Sequence, residues 1–436
     1  MSNAAELLGL TVKGALRLGQ TGRVLAGTGV SWLMGDRPPP PRLVRQTFER
    51  LGATYVKLGQ FIASSPSMFP EPWVTEFQHC LDRTSPLPWR TIRRALREEL
   101  GDKVESEFSW IDPEPLASAS IAQVHAARLK TGEDVVLKVR KPGVEKVIVT
   151  DLNLLYLVAR VAERVTPGAA HASLAAIVEE IQGSMMEECD FVREAANIEA
   201  FRVYLDDTLN RSAAVPRVYP ALSTGRVLTM ERFFGASLTD PAGLRRCTDD
   251  PEGLLVTALN TWFGSLMHCR TFHADLHAGN LMALRDGRIG FIDFGIVGRI
   301  REETWRAMFA LADGLPRGDF KAVAEGLATM GATREGVDTA RLATDLEALF
   351  RRLDLAPGGP GDAADYPVYD EPPEDEDLNR ALMELVAVGR RHGIRFPREF
   401  TLLVKQFLYF DRYIRMLAPD LALFGDARVN ALPSLG

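Results

Sequence analysis

The sequence predicts an α+β chain, with a small mixed lobe followed by a larger and mainly helical one. Two observations predict it. β-like runs at 124–129 and 135–140 flank Lys130-Thr131-Gly132-Glu133-Asp134, a glycine-centred turn, and together read as a β-hairpin. Beyond Asp240 the pattern is helical, except for short strand signals at 281–284 and 289–292 around Arg285-Asp286-Gly287.

Residues 1–41 form an N-terminal segment. Its stretch from Leu7 to Arg23 sets Leu7, Leu8, Leu10, Val12, Leu16 and Leu18 among Lys13, Arg17 and Arg23. That pattern suits a helix packed on its own domain or one lying on a membrane surface. Pro38 to Pro41, four prolines in a row, cannot continue a helix and mark a stiff linker. Residues 42–106 read as an all-α extension with turns at Pro66, Pro70, Pro72, Pro86 and Pro88. Residues 107–235 are the small lobe: the hairpin, helical stretches over 144–165 and from Leu174 to about Leu205, and strand-like 226–232. Residues 236–436 are the helical lobe. Within it, 354–377 mix Gly and Pro with Glu371, Glu374, Asp375, Glu376 and Asp377, too few apolar side chains to offset ordering, so a mobile surface insertion is expected. Helical pattern resumes to about Phe424, and no internal repeat is present.

At 436 residues, 46% hydrophobic and 25% charged, the chain has the composition of an ordinary globular protein. A net charge of −7 excludes a nucleic-acid partner, whose phosphates call for a basic surface. Cys80, Cys189, Cys247 and Cys269 show no C-x-x-C spacing, so neither a zinc site nor a disulfide framework is expected and a cytoplasmic setting fits. The run from Val24 to Gly35 is too short to span a bilayer. The tail from Arg415 carries Asp420, Asp426 and Arg428 and cannot span either, leaving peripheral contact with the inner face of the membrane.

The chemistry is carried by His273-Ala274-Asp275-Leu276-His277-Ala278-Gly279-Asn280, followed by Ile292-Asp293-Phe294-Gly295. An Asp with an Asn five positions on, then a second Asp in an Asp-Phe-Gly triplet after a strand, is the arrangement of phosphoryl-transfer sites in a two-lobed protein-kinase-like fold. Asp293 is placed to bind Mg²⁺ and Asn280 to supply a second contact, while Asp275 orients the attacking hydroxyl or water. Lys138, inside the apolar strand 135–139, needs an anionic partner. ATP phosphates and a glutamate of the following helices would serve; Glu194 is the choice, with Glu187 and Glu188 as competitors. His273 and His277 are four apart, yet the expected Mg²⁺ prefers oxygen ligands, so His273 is read as holding the loop by hydrogen bonds.

Two upstream motifs narrow the family. Lys57-Leu58-Gly59-Gln60 lies in the helical extension, and Leu116-Ala117-Ser118-Ala119-Ser120-Ile121-Ala122-Gln123-Val124-His125 stands where a protein kinase has its glycine-rich loop. With Glu188-Cys189-Asp190, Glu194 and Asn197 they resemble the UbiB (ABC1/AarF) family of atypical protein-kinase-like ATPases. The resemblance implies that the K-x-G-Q helix folds over the cleft, with Lys57 and Gln60 pointing into it and held partly by Glu188 and Asp190. It implies that Ala117, Ser118, Ala119, Ser120 and Ile121 lie above the nucleotide, with Lys138, Glu194, Glu231, Asn280 and Asp293 completing the ATP (or ADP) site. The implied activity is ATP hydrolysis supporting isoprenoid-quinone biosynthesis, with quinone-biosynthesis enzymes and an isoprenoid lipid or quinone precursor as partners. Phosphorylation of other proteins is not expected. Ala and Ser, without the positive φ open to Gly, should restrict how the loop wraps phosphates. Leu276 and Ala278 replace residues that are often proline in the family, which should loosen the catalytic loop.

Two other functions compete. Asp275-Leu276-His277 also resembles aminoglycoside and choline kinases, small-molecule phosphotransferases that have no reason to carry the K-x-G-Q and Ala-rich motifs. A non-catalytic scaffold that binds lipid and uses nucleotide as a switch is the other; Asp275, Asn280 and Asp293 argue against a dead site.

Overall fold

The structure is a computed structural model. It describes residues 37–63, 69, 71–77, 79, 85–165, 174–277, 279–331, 336–352 and 376–419, with scattered positions between 19 and 35 and between 421 and 429. The pattern at 7–23 and the insertion at 354–377 fall almost wholly outside the described residues, as does Ala278. The chain divides into two compact units, residues 1–196 with 217–232 and residues 197–216 with 233–436.

The first unit opens with helices α1 (Pro40–Leu51), α2 (Ala53–Ala63) and α3 (Glu71–Phe77), then α4 (Trp89–Leu100) and α5 (Lys103–Glu107). Gly52, at φ 98, ends α1 in a conformation that favours glycine. Strands β1 (Phe108–Ser118), β2 (Ala122–Leu129) and β3 (Asp134–Arg140) follow; β4 (Ala213–Ala214) belongs to the second unit, and β5 (Val227–Glu231) completes the first. The antiparallel sheet runs β1-β2-β3-β5. Val135, Leu137 and Val139 of β3 are fully buried in one core with Ile92, Leu96 and Leu100 of α4. Strand alternation therefore puts Val136, Lys138 and Arg140 on the opposite face. Strand β1, which alternation in the sequence does not reveal, is an edge strand with three register shifts and two prolines, Pro113 and Pro115. An edge position tolerates the missing amide hydrogens.

Helix α6 (Val144–Val165) has the bounds the sequence predicts. The stretch expected as one helix from Leu174 is two, α7 (Leu174–Glu188) and α8 (Phe191–Asp207). The break has a local cause: Asp190 Oδ1 accepts from the amides of Val192 (3.1 Å) and Arg193 (3.4 Å), an N-cap that starts a new helix. Arg140 donates to Cys189 O just beyond the end of α7, where carbonyls lack partners and a cation is favoured. Ile148 and Leu152 of α6 and Ile181 and Met185 of α7 share a core, against which Leu58 and Phe61 of α2 pack.

The second unit contains β6 (Gly235–Ser237), α9 (Pro241–Leu244), α10 (Pro251–Cys269), β7 (Thr271–His273), β8 (Leu281–Leu284), β9 (Ile289–Phe291) and β10 (Val297–Arg299). One sheet runs β4-β9-β8-β6, and β7 pairs with β10. Helix α10 starts on Asp250, which accepts from Gly253 N, with Pro251 in its first turn, and it buries apolar residues on every side. Helices α11 (Glu302–Arg317), α12 (Phe320–Gly331), α13 (Thr339–Arg352), α14 (Glu376–Arg391) and α15 (Arg398–Leu417) follow. Val323, Leu327, Leu342, Leu346, Val388, Phe400 and Val404 form their common core.

Candidate functional site

In the first unit, Lys138 Nζ donates to both carboxylate oxygens of Glu194, at 2.8 and 3.0 Å. The pair is almost dry, with side chains 12% and 2% exposed, and the Phe191 ring lies 5.4 Å from the ammonium. Of the three glutamates the sequence offers, the other two are engaged elsewhere: Glu187 pairs with Arg193 at 3.0 Å and Glu188 with Lys57 at 2.7 Å. Lys57 is therefore tied from α2 to the end of α7, while Gln60, one turn on, is half-buried. Asp190 caps α8 as described. Glu231 accepts from Arg217 N at 3.2 Å through a side-chain oxygen.

The Ala-rich loop closes with Ala119 N donating to Ala122 O, and none of residues 117–121 takes a positive φ. Ser120 and Ile121 are buried, Ser118 and Ala119 half-buried and Ala117 exposed. The rest of the motif is architectural. Gln123 Oε1 accepts from Leu87 N, and His125 donates from Nδ1 to Asp112 O at 2.9 Å. Burial lowers the His125 pKa, which keeps that imidazole neutral.

In the second unit, the loop after β7 is wired to the strand before Asp293. His273 is fully buried; its Nε2 donates to Ile292 O at 3.1 Å and its Nδ1 accepts from Asp275 N at 3.2 Å. Burial pushes its pKa down to about 4, so the ring is the neutral tautomer those two bonds require. Asn280 Nδ2 donates to Asp275 O at 2.8 Å, and Asn280 O accepts from Ile292 N at 3.0 Å. Asp293 stands at φ 60, a left-handed conformation that Asp tolerates better than most residues, and its Oδ1 accepts from Gly295 N. Phe294 is buried against His273 (4.7 Å) and Phe201 (5.2 Å), and its carbonyl accepts from Asn197 Nδ2.

These groups suit a magnesium nucleotide. The Asn280 amide nitrogen is committed to Asp275 O, which leaves its carbonyl oxygen to join the Asp293 carboxylate as a hard oxygen donor. Among the described residues no group of three or more His, Cys, Asp or Glu is arranged to hold a metal alone. A cation that takes one or two protein oxygens and completes its shell with phosphate and water matches such a set. In the first unit, Ser118 Oγ is buried without a hydrogen-bond partner among the described residues, a donor suited to a phosphate oxygen.

Helix α15 contributes what sequence reasoning missed. Lys405 Nζ lies 2.7 Å from Asp275 Oδ1. Gln406, fully buried, accepts from Leu276 N at 2.8 Å and donates to Ala274 O at 2.7 Å, while Tyr413 OH donates to Leu276 O. Trp262 of α10 donates to His273 O. A signal existed: Lys405 is the only charged residue between Glu399 and Asp411, in a largely apolar run. The loosening expected from Leu276 is corrected by the same bonds. A proline there would have no N–H to give Gln406, so the Leu276 position is pinned.

An antiparallel sheet carrying a Lys–Glu pair, and an Asp-x₄-Asn loop wired to an Asp-Phe-Gly segment, define a kinase-like protein of the atypical, alanine-loop class. The model of the ABC1 atypical kinase-like domain matches residues 79–327, and that of the UbiB helical domain matches 365–422. The chain belongs to the ABC1/UbiB family of atypical kinase-like proteins. It is 47% identical to an uncharacterized, chloroplastic aarF domain-containing protein kinase of Arabidopsis thaliana, over 96% of this chain and 82% of the relative. It is 37% identical to an uncharacterized protein of Mycobacterium tuberculosis, over 88% and 76%. It is 33% identical to a probable protein kinase UbiB of Pseudomonas putida, over 88% and 69%. Kinase-like proteins of this kind generally bind ATP with Mg²⁺.

Proposed function

We propose that the chain binds ATP with Mg²⁺ and hydrolyses it, in support of isoprenoid-quinone or related membrane-lipid metabolism. The observation that carries the hydrolytic part is the intact set of Asp275, Asn280 and Asp293: hydrogen bonds tie Asp275, through His273, and Asn280 to Ile292, the residue before Asp293. Bound Mg²⁺ would offset the phosphate charge that builds during transfer. Asn280 and Asp293 of the second unit would hold that ion, and in the first unit Lys138, paired with Glu194, and residues 117–121 are the groups offered to phosphate. Asp275 orients water; its oxygen bonds to the γ-phosphorus as the bond to the β-bridging oxygen breaks. ADP leaves with that electron pair, and the water proton passes through Asp275 to solvent or phosphate. The link to quinone metabolism is supported by the K-x-G-Q and alanine-loop motifs and by the relative named UbiB.

Membrane attachment belongs to the same reading. No helix among the described residues is long and apolar enough to cross a bilayer, and contact through the N-terminal segment is the proposal. The test is ATP consumption without an added acceptor, with and without anionic liposomes, for the full chain, Asp275→Asn, Lys57→Ala and a form lacking residues 1–36. Turnover by the full chain that falls in Asp275→Asn is expected, as is liposome stimulation that the truncation abolishes. Turnover only with an added hydroxyl compound, which becomes phosphorylated, would replace this reading with a small-molecule kinase.

A further inference from the structure

We propose that Lys405 is a positioning residue for phosphoryl transfer, supplied to the catalytic loop by the C-terminal helical segment; the inference rests on the nucleotide reading above. Its ammonium lies 2.7 Å from Asp275 Oδ1 and is 12% exposed. His277 Nε2 stands 3.8 Å from the other carboxylate oxygen and is far more exposed. The Tyr409 ring, one turn along α15, lies 5.5 Å from the same ammonium.

The physical need is electrostatic. Asp275 must hold a water beside the γ-phosphate, and a carboxylate facing a polyphosphate is repelled by it. A cation bound to the carboxylate offsets that repulsion and fixes its rotamer before the nucleotide arrives. Holding the loop does not explain the pair, since Gln406 and Tyr413 already fix the backbone at Ala274 and Leu276 through neutral hydrogen bonds. A part-buried ion pair contributes little net stability beside such bonds, because desolvation consumes most of its Coulomb energy. The choice of residue fits the role. Basic positions in this chain are mostly arginine, with no lysine between Lys146 and Lys321 or between Lys321 and Lys405. A lysine here is a compact point charge on a flexible stem, able to stay with Asp275 as phosphate charge builds beside it.

The test is steady-state ATP hydrolysis by the full chain and by Lys405→Met, Lys405→Arg, Asp275→Asn and the Lys405→Met/Asp275→Asn double variant, with melting temperature measured alongside. Lys405→Met should lower kcat by about 10²-fold with KM for ATP within about twofold, and Lys405→Arg should recover part of that loss. The double variant should be no slower than Asp275→Asn, because the lysine acts through that aspartate. A kcat within twofold of wild type in Lys405→Met, or losses that multiply in the double variant, would overturn the proposal. If the methionine variant does not fold, Lys405→Gln, which still donates to Asp275, carries the same expectation. Absence of both turnover and Mg-ATP stabilisation in the unsubstituted chain would instead overturn the nucleotide reading, and the role of Lys405 with it.

Discussion

Leu276 donates its backbone N–H to Gln406 Oε1 across 130 positions of sequence, at 2.8 Å and out of contact with water. One buried amide side chain thus holds the loop between Asp275 and its neighbours, and the family's frequent proline cannot be accommodated here without loss. Leu276→Pro removes the donor and strands the acceptor, so it should destabilise the protein by roughly 1–3 kcal/mol. Urea denaturation measures this; a variant as stable as the parent would show that the bond contributes nothing.

Glu194 is the counter-ion of a nearly dry lysine. Glu194→Ala should cost roughly 3–5 kcal/mol, since it leaves the Lys138 ammonium buried without its carboxylate. Replacing both residues, as Lys138→Met with Glu194→Leu, should recover most of that loss while abolishing nucleotide binding. Equal stability losses in the single and the double variant would show that packing, not charge, sets the cost.

His273 imposes a pH dependence whose sign follows from its burial. Its folded pKa of about 4 lies below the ordinary 6.5, so between those values the unfolded chain binds a proton that the folded chain refuses. Stability is therefore full above pH 6.5 and is lost as pH falls toward 4, by up to roughly 3 kcal/mol. Asp275 and Asp293 oppose the shift and His277 adds to it. Urea midpoints at pH 7 and pH 5 should fall further for the parent than for His273→Asn; equal falls would remove His273 as the cause.

Asp293→Asn tests the metal assignment with little structural cost, because asparagine also tolerates the left-handed backbone at this position. The melting temperature without ligand should stay close to that of the parent. The rise caused by ATP should lose its dependence on Mg²⁺. An undiminished Mg-ATP effect would exclude Asp293 as a ligand.

Local pattern made much of the fold legible. Helix α6, the β2–β3 hairpin and the strands on either side of Gly287 are each set by the spacing of apolar residues over one or two turns of chain. Strand β1 was not legible, because an edge strand with bulges and two prolines does not alternate. The break between α7 and α8 was written in Asp190, a capping residue that the surrounding helical periodicity concealed.

By itself the sequence determined the family and the order of its motifs, since fixed spacings such as Asp275 to Asn280 are properties of the chain alone. Only the tertiary structure decided among the candidate glutamates and brought distant partners to the loop. It paired Lys138 with Glu194, gave Glu188 to Lys57, and brought Lys405, Gln406 and Tyr413 to a loop some 130 residues earlier. Such pairings are settled by desolvation: a charge or amide removed from water bonds to whatever the folded backbone brings within reach, and sequence distance does not enter that energy.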